Sequence, residues 1–296
     1  MKLIDQHAEI LQQNPGLLGI YEAVAACAST CYKSAPKSGE SAKDFVKKLI
    51  QNQHNAMLEF GTVYLTIPFF GNCESKEEYQ FYVNEPHSRI YVLYNNINSS
   101  LISGSMYVTT NLRVLKENNR LDDSCYLCDI TGNHSDRITF RLITSIAVAR
   151  ELTRHRVFSF AQESTRYCNY SKDKFGNELT FVIPTWAEKW KEFDEEFGIP
   201  YDNLKDNYAP KKDDEFYKYY RYFVALKESE NAYMTLSKYL KPEEARGVLP
   251  LDTKTEICVC GFRDDWKHFF DLRLNGTTGK PHPDMQALAK LMIEKI

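Results

Sequence analysis

The spacing of hydrophobic positions along this chain changes period several times, and each change predicts an element. Between Leu17 and Cys31 an alanine-rich run places Tyr21, Val24 and Ala25 at helical spacing and predicts an amphipathic helix. Ser41 is a suitable N-cap for a second helix, with Phe45, Leu49 and Ile50 on its apolar face, that stops near His54. From Thr62 to Ile67 the period drops to two, which predicts a strand, and Pro68 is expected to close it. Alternation returns at Ile138-Thr139-Phe140-Arg141-Leu142. The alanine and leucine content of 146–152 then predicts a buried helix, which delivers Arg154, His155 and Arg156.

Between these two regular regions, segment 68–136 carries Asn95, Asn96, Asn98, Ser99, Ser100 and Gly104. It reads as turns with short elements between them, an insertion in the surrounding fold. Downstream, helices are predicted over 186–197 and 213–240, the latter through Phe216, Tyr220, Phe223, Leu236 and Leu240, whose aromatics are expected in the core. Pro242 suits the first turn of a further helix, 255–260 alternates as a short strand, and helices around 266–272 and 285–296 complete the pattern. Separated strands and helix clusters predict α+β rather than a regular βαβ alternation, and no internal repeat is present.

Composition narrows the class. With 43% hydrophobic and 26% charged residues, 296 residues can bury a sizeable core, which excludes a disordered chain. The length permits one large domain or two small ones; the reading is one domain over 1–296 with 68–136 inserted in it. A formal net charge of -3 supplies no overall field for nucleic acid, so any phosphate recognition must be local. No apolar run approaches the roughly 18 residues of a membrane span, and Asp5 and Glu9 do not suit a signal peptide. The expectation is a cytoplasmic protein with no membrane or nucleic-acid partner. Eight cysteines in such a chain read as reduced thiols rather than a disulfide framework. Cys125 and Cys128 with His134 supply three candidate zinc ligands without a fourth, and no metal is predicted.

One short stretch concentrates chemistry. Arg154, His155, Arg156, Ser159, Gln162, Ser164, Arg166 and Tyr167 fall within fourteen residues. Guanidinium forks grip phosphate, and hydroxyl and amide groups read the edge of a base. The same arginines could instead sit at a helix C-terminus, where a cation is favourable by about 0.3–1 kcal/mol. Composition alone leaves both readings open.

The arrangement separates them. Arg154-His155-Arg156, seven residues and then Ser164, with Arg166-Tyr167 adjoining, resembles the signature of the flavin-dependent thymidylate synthases. Four fixed positions arise by chance in roughly one chain of this length in five hundred. Three other blocks follow the family's order. His54 to Glu59, including Ala56, is similar to a segment beside the flavin and folate, although His54 alone reads more simply as a surface or structural histidine. Ala245-Arg246-Gly247-Val248-Leu249-Pro250 resembles the block carrying a second nucleotide-binding arginine. Trp266 to Arg273 resembles a flavin-contacting helix that ends in the arginine activating dUMP. Glu151 stands where several members carry glutamine, Gln162-Glu163 replaces a more usual Asn-Glu, and Gly261-Phe262-Arg263 falls where an asparagine and an arginine are common.

The resemblance implies a central, mostly antiparallel sheet with flanking helices. It implies reductive methylation of dUMP to dTMP, with FAD as cofactor, NADPH as reductant and 5,10-methylenetetrahydrofolate as carbon donor. Arg273 would be catalytic, since a cation against the pyrimidine favours its N3-deprotonated form and makes C5 more nucleophilic. Arg154, His155, Arg156, Gln162, His268, Arg263, Ala56, Glu59 and His54 would lie at the flavin; Glu151, Arg154, Gln162, Glu163, Ser164, Arg166, Arg246 and Arg273 would lie at dUMP. Arg246 would come from a neighbouring subunit of a homotetramer with shared sites. Cys168 and Ser164 are not expected to be nucleophiles. A non-catalytic RNA-binding module and a flavin reductase with another substrate are the competing readings; acidic net charge opposes the first, and Ser164, Arg166 and Arg273 together are superfluous to the second.

Overall fold

A computed structural model describes residues 1–33, 41–98, 101–189, 212 and 216–296. In chain order the elements are β1 (Lys2–Ile4), β2 (His7–Ile10), α1 (Gly16–Tyr32), α2 (Ala42–Gln51), β3 (Thr62–Phe70), α3 (Glu77–Asn84), β4 (Arg89–Asn98), β5 (Leu101–Asn111) and α4 (Leu112–Glu117). They continue as β6 (Arg137–Ser145), α5 (Ile146–Leu152), β7 (Ser159–Gln162), β8 (Thr180–Val182), α6 (Tyr217–Leu236), α7 (Pro242–Ala245), β9 (Lys254–Phe262), α8 (Arg263–Arg273) and α9 (Pro283–Ile293). Among the described residues no helix is long and apolar enough to cross a membrane, and none of the cysteines forms a disulfide.

The fold is α+β. Its central sheet has the order β2-β6-β9-β7 with every pairing antiparallel. On β9 the two-residue period sorts side chains cleanly. Ile257 and Val259 join a core with Phe140, Leu152, Phe158, Trp266, Phe269 and Met285, formed against α5, α8 and α9. Cys258 and Cys260 point the other way and pack with Cys27 of α1, Phe60 and Ala161. These thiols serve there as small apolar groups. Helix α1 is consequently buried on two sides rather than one, because Ile20, Val24 and Ala28 enter a separate core with α2, β3 and β5.

The segment expected to be turns forms most of a second sheet, of order β3-β5-β4 and antiparallel throughout. Asn95, Asn96, Asn98 and Gly104 lie within its strands; Ser99 and Ser100 fall outside the described residues. Pro68 does not close β3, which runs on to Phe70. The reason is register. Gly71 donates toward β5 at Ile102, whereas Tyr64 accepts from Cys128 on the opposite edge. Pro68 falls on that opposite edge, where its missing N–H breaks no ladder bond. The two ends of this elaboration meet, since the Arg137 guanidinium donates to the Glu59 carbonyl at 3.1 Å and to Thr62 Oγ1 at 3.2 Å.

Elsewhere the sequence reading and the structure agree on α1, α2 with its Ser41 cap, α5, α7 and the last two helices. The Ser145 hydroxyl accepts the Val148 N–H at 3.2 Å and so starts α5. The predicted helix over 186–197 lies largely outside the described residues, which show a single 3-10 turn over Thr185–Ala187. In α6, Tyr219, Phe223 and Tyr233 are buried in a third core under β1 and β8. The short strands β1, β2, β7 and β8 went unpredicted, being three or four residues long.

Gly261 is where the signature segment presses hardest on the sheet. A Cβ there would sit 2.2 Å from Phe158, whose ring stacks on Trp266 at 4.2 Å. Any larger side chain would not fit beneath that ring. Gly261→Ala should lower stability by about 1–3 kcal/mol through overpacking, read by urea unfolding beside Gly132→Ala, whose Cβ would meet nothing and which should leave the midpoint unchanged.

Candidate active site

Helix α5 ends in two tight turns, closed by Arg154 N–H to Glu151, His155 N–H to Leu152 and Phe158 N–H to His155. Phe158 is driven into the core, and His155 follows it inward to meet Phe269 edge-on at 5.0 Å. Arg154 and Arg156 are left facing solvent. No carboxylate among the described residues engages either guanidinium. Arg273, the last residue of α8, reaches this turn: its Nε donates to His155 Nε2 at 2.9 Å and its Nη1 to Glu151 Oε2 at 2.8 Å. Arg273 is thereby joined to two residues more than a hundred positions away, with Arg273 and Glu151 both partly buried.

Because His155 Nε2 accepts, its proton sits on Nδ1. Burial, then the Arg273 charge and His268, pull its pKa from 6.5 down to about 4, so the ring is neutral at physiological pH. The guanidinium therefore faces one neutral acceptor and one carboxylate, which orient it on two sides.

A second group lies beyond the far end of β7. Gln162 donates to Thr255 Oγ1 at 3.2 Å. The chain then turns, with Tyr167 and Cys168 donating back to the Ser164 carbonyl and Ser164 Oγ accepting the Arg166 N–H at 3.3 Å. Arg166 is exposed and paired with Glu243 at 2.8 Å, which lowers the Glu243 pKa. Arg246 donates to Thr165 Oγ1 at 3.3 Å. Arg246 thus belongs with Ser164 and Arg166 on the same chain. Glu151 and Arg154 precede β7 and are joined there by Arg273, whereas Ser164 and Arg166 follow it with Arg246 beside them.

Other predicted residues fall elsewhere. The Glu163 side chain is turned inward: it is 1% exposed, Oε2 lies 2.7 Å from Lys254 Nζ, and Oε1 accepts from Tyr170 at 3.0 Å. His54 and Ala56 are exposed at the foot of the second sheet, and Glu59 pairs with Arg113. Arg263 is held by Asp136 at 2.7 Å on the rim of a cleft of about 490 Å³ beside Asn14, Gly16, Tyr64 and Arg137, which no residue of the 154–167 stretch lines. His268 is exposed on α8, the helix of Arg273. Of the zinc candidates, His134 is otherwise engaged: it accepts the Thr131 N–H on Nδ1 and faces the Leu65 carbonyl with Nε2, both at 3.1 Å. Lys33, Lys254 and Glu256, which surround Glu163, escaped the sequence reading. Their one legible trace is a pair of charges opening an otherwise apolar strand.

Residues 134–296, more than half of the chain, match the family model described as thymidylate synthase complementing protein. The chain belongs to this family. The matched residues hold both groups of the site, while His54, Ala56 and Glu59 lie before them. The flavin-dependent thymidylate synthase of Synechocystis sp. is 25% identical over 158 residues, covering 53% of this chain and 66% of that relative. The enzyme of the same name from Pyrococcus furiosus is 31% identical over 125 residues, covering 42% and 40%. The chain therefore spans less than two thirds of the length of the curated relatives it matches. Among solved structures, a UMP/dUMP methylase PolB from Streptomyces cacaoi aligns over 98% of this chain and 90% of its own at 15% identity, with a TM-score of 0.42.

The depressed His155 pKa has a measurable sign. Between pH 6.5 and about 4 the unfolded chain binds a proton that the native state refuses. Stability from this residue is complete above pH 6.5 and lost as pH falls toward 4. The urea midpoint should fall more steeply across that window in wild type than in His155→Gln, the difference between the two curves being the histidine's share.

Proposed function

We propose that this protein is a flavin-dependent thymidylate synthase, converting dUMP to dTMP with 5,10-methylenetetrahydrofolate as carbon donor and NADPH as reductant, in the cytoplasm. The observation that carries this reading is Arg273, a guanidinium held by Glu151 and neutral His155 beside Arg154. Against a pyrimidine, that cation stabilises negative charge spread from N3 over the ring and raises electron density at C5. An arginine suits the task because it stays charged at any physiological pH.

The residues present also fit FAD. Arg154 and Arg156 are exposed and not engaged by a carboxylate among the described residues, as a pyrophosphate grip requires. His155 and His268 lie beside the end of the helix that carries Arg273. When bound, the flavin supplies the hydride chemistry; the chain's own part is to hold it against the nucleotide and exclude water. Ser164, Arg166 and Arg246 would take the dUMP phosphate, the two guanidinium groups neutralising it and the hydroxyl donating. Gln162, between the two groups on β7, would reach the nucleotide from the strand.

The separation of the two groups along β7 supports sites shared between copies of the chain. In this reading one subunit provides Ser164, Arg166 and Arg246, and its neighbour provides Glu151, Arg154 and Arg273. A homotetramer with several such junctions satisfies both groups on every chain.

Three outcomes are expected. Purified protein reduced anaerobically by NADPH should form dTMP from dUMP and methylenetetrahydrofolate, seen by nucleotide chromatography, and Arg273→Ala should abolish it; flavin-loaded wild type that forms no dTMP sinks the reading. Mixing inactive Arg273→Ala with inactive Arg246→Ala after subunit exchange should restore activity, because some junctions then combine two intact halves. Glu243→Gln should lower the Kd for dUMP by a few-fold at low salt, since Arg166 no longer has a carboxylate to leave, and the gain should fade as salt screens it.

A further inference from the structure

Directly behind the Ser164 turn lies a cluster of buried charge that the reaction does not use. Glu163 on the turn, Glu256 and Lys254 on β9, and Lys33 at the end of α1 form an alternating lattice. Lys254 Nζ lies 2.7 Å from Glu163 and 3.8 Å from Glu256. Lys33 Nζ lies 3.5 Å from Glu163 and pairs directly with Glu256. Tyr170 donates to the remaining Glu163 oxygen at 3.0 Å. The four side chains are between 1% and 21% exposed.

Two features mark the lattice as more than packing. Buried ion pairs contribute little net stability, because desolvation consumes most of the attraction; an apolar cluster of the same volume would serve the fold as well. What directional charge pairs supply and apolar contacts do not is a unique register among the segments they join. Here those segments are α1, β9 and the turn itself. The second feature is the backbone of Lys33, which caps α1 in the left-handed region at φ 47°. Glycine is the usual occupant of such a position. A lysine accepts that conformation here with its amine delivered between the two carboxylates. Burial opposes the Lys33 charge, yet Glu163 and Glu256 outweigh it and raise its pKa.

Backbone bonds complete the link to the phosphate grip. Glu163 N–H donates to Glu256 at 2.8 Å, and the next N–H, of Ser164, donates to Cys31 at 3.0 Å, two residues before Lys33. We infer that Lys33, Glu163, Lys254 and Glu256 are positioning residues that hold the Ser164–Arg166 turn at the height its phosphate ligand needs, a role that rests on the dUMP reading above. None of the four touches the nucleotide.

Charge and geometry predict opposite results, which makes the inference testable. Glu163→Gln removes a negative charge from behind a phosphate site, so through electrostatics alone it would tighten dUMP binding. As a loss of positioning it weakens it. We expect calorimetry on the FAD-loaded enzyme to show dUMP affinity reduced roughly tenfold, KM raised to match, and kcat at saturating dUMP close to wild type. The double variant Glu163→Gln/Lys254→Met removes both members of one pair and leaves no buried charge unbalanced. Its Tm should recover toward wild type while its dUMP affinity stays low. Wild-type affinity in the double variant, or tighter binding in the single one, overturns the positioning role. Wild-type holoenzyme that takes up no dUMP overturns the functional reading instead, and the inference with it.

Discussion

A strand buried on both faces must satisfy its backbone on both edges and its side chains above and below, and β9 does all four. It pairs with β6 on one edge and β7 on the other, packs Ile257 and Val259 toward α5, α8 and α9, and packs Cys258 and Cys260 toward α1. Both groups of the site are suspended from it. Its C-terminal end runs directly into α8, which carries Arg273; its N-terminal end supplies the partners of Glu163 and Gln162. Among the described residues the four-residue strand β7 pairs with β9 alone, at the edge of the sheet, so the signature stretch takes much of its geometry from this neighbour.

Accessibility then divides the arginines, and the division cuts across the two groups. Arg273 is constrained, with donors taken by His155 and Glu151 and its charge opposed by the Glu151 carboxylate. A carboxylate makes the stronger, charge-assisted bond and fixes the guanidinium plane more firmly. It also cancels much of the cation's field until a ligand competes for it. Arg154, Arg156 and Arg166 lie at the surface, where long side chains can move to meet an incoming anion. Under the proposed function, the rigid cation would suit the pyrimidine ring, whose position decides the chemistry, and the mobile ones would suit phosphates.

The second sheet adds a layer without disturbing this centre. Its boundaries meet at Arg137, bonded to Glu59 and Thr62, so a large elaboration enters and leaves the fold almost at one point. It shares α1 with the central sheet: Ile20, Val24 and Ala28 serve one core while Cys27 serves the other. A helix with two buried sides transmits any shift in one layer to the next, since close-packed interiors yield little.

Local chemistry alone was enough to locate α1, α2, α5, α7 and the last two helices and to give the α+β class; the stretch from Arg154 to Tyr167 stood out by its density of polar groups, and Arg273 only through the family resemblance. Caps, periodicity and motif spacing are properties of neighbouring residues, and they survive in one dimension. The misreadings share a cause. Pro68 and the asparagines of β4 look like breakers until pairing shows which edge each N–H faces, and β7 is too short to have a period of its own. Glu163 stands within the signature, and only the tertiary structure shows its side chain buried beside Lys254 and Tyr170. What the sequence determined by itself was where helices start and stop and where charged and polar groups concentrate along the chain. Which of them share an environment was decided by tertiary structure, because desolvation and pairing depend on neighbours brought from α1, β9 and α8, far away along the chain.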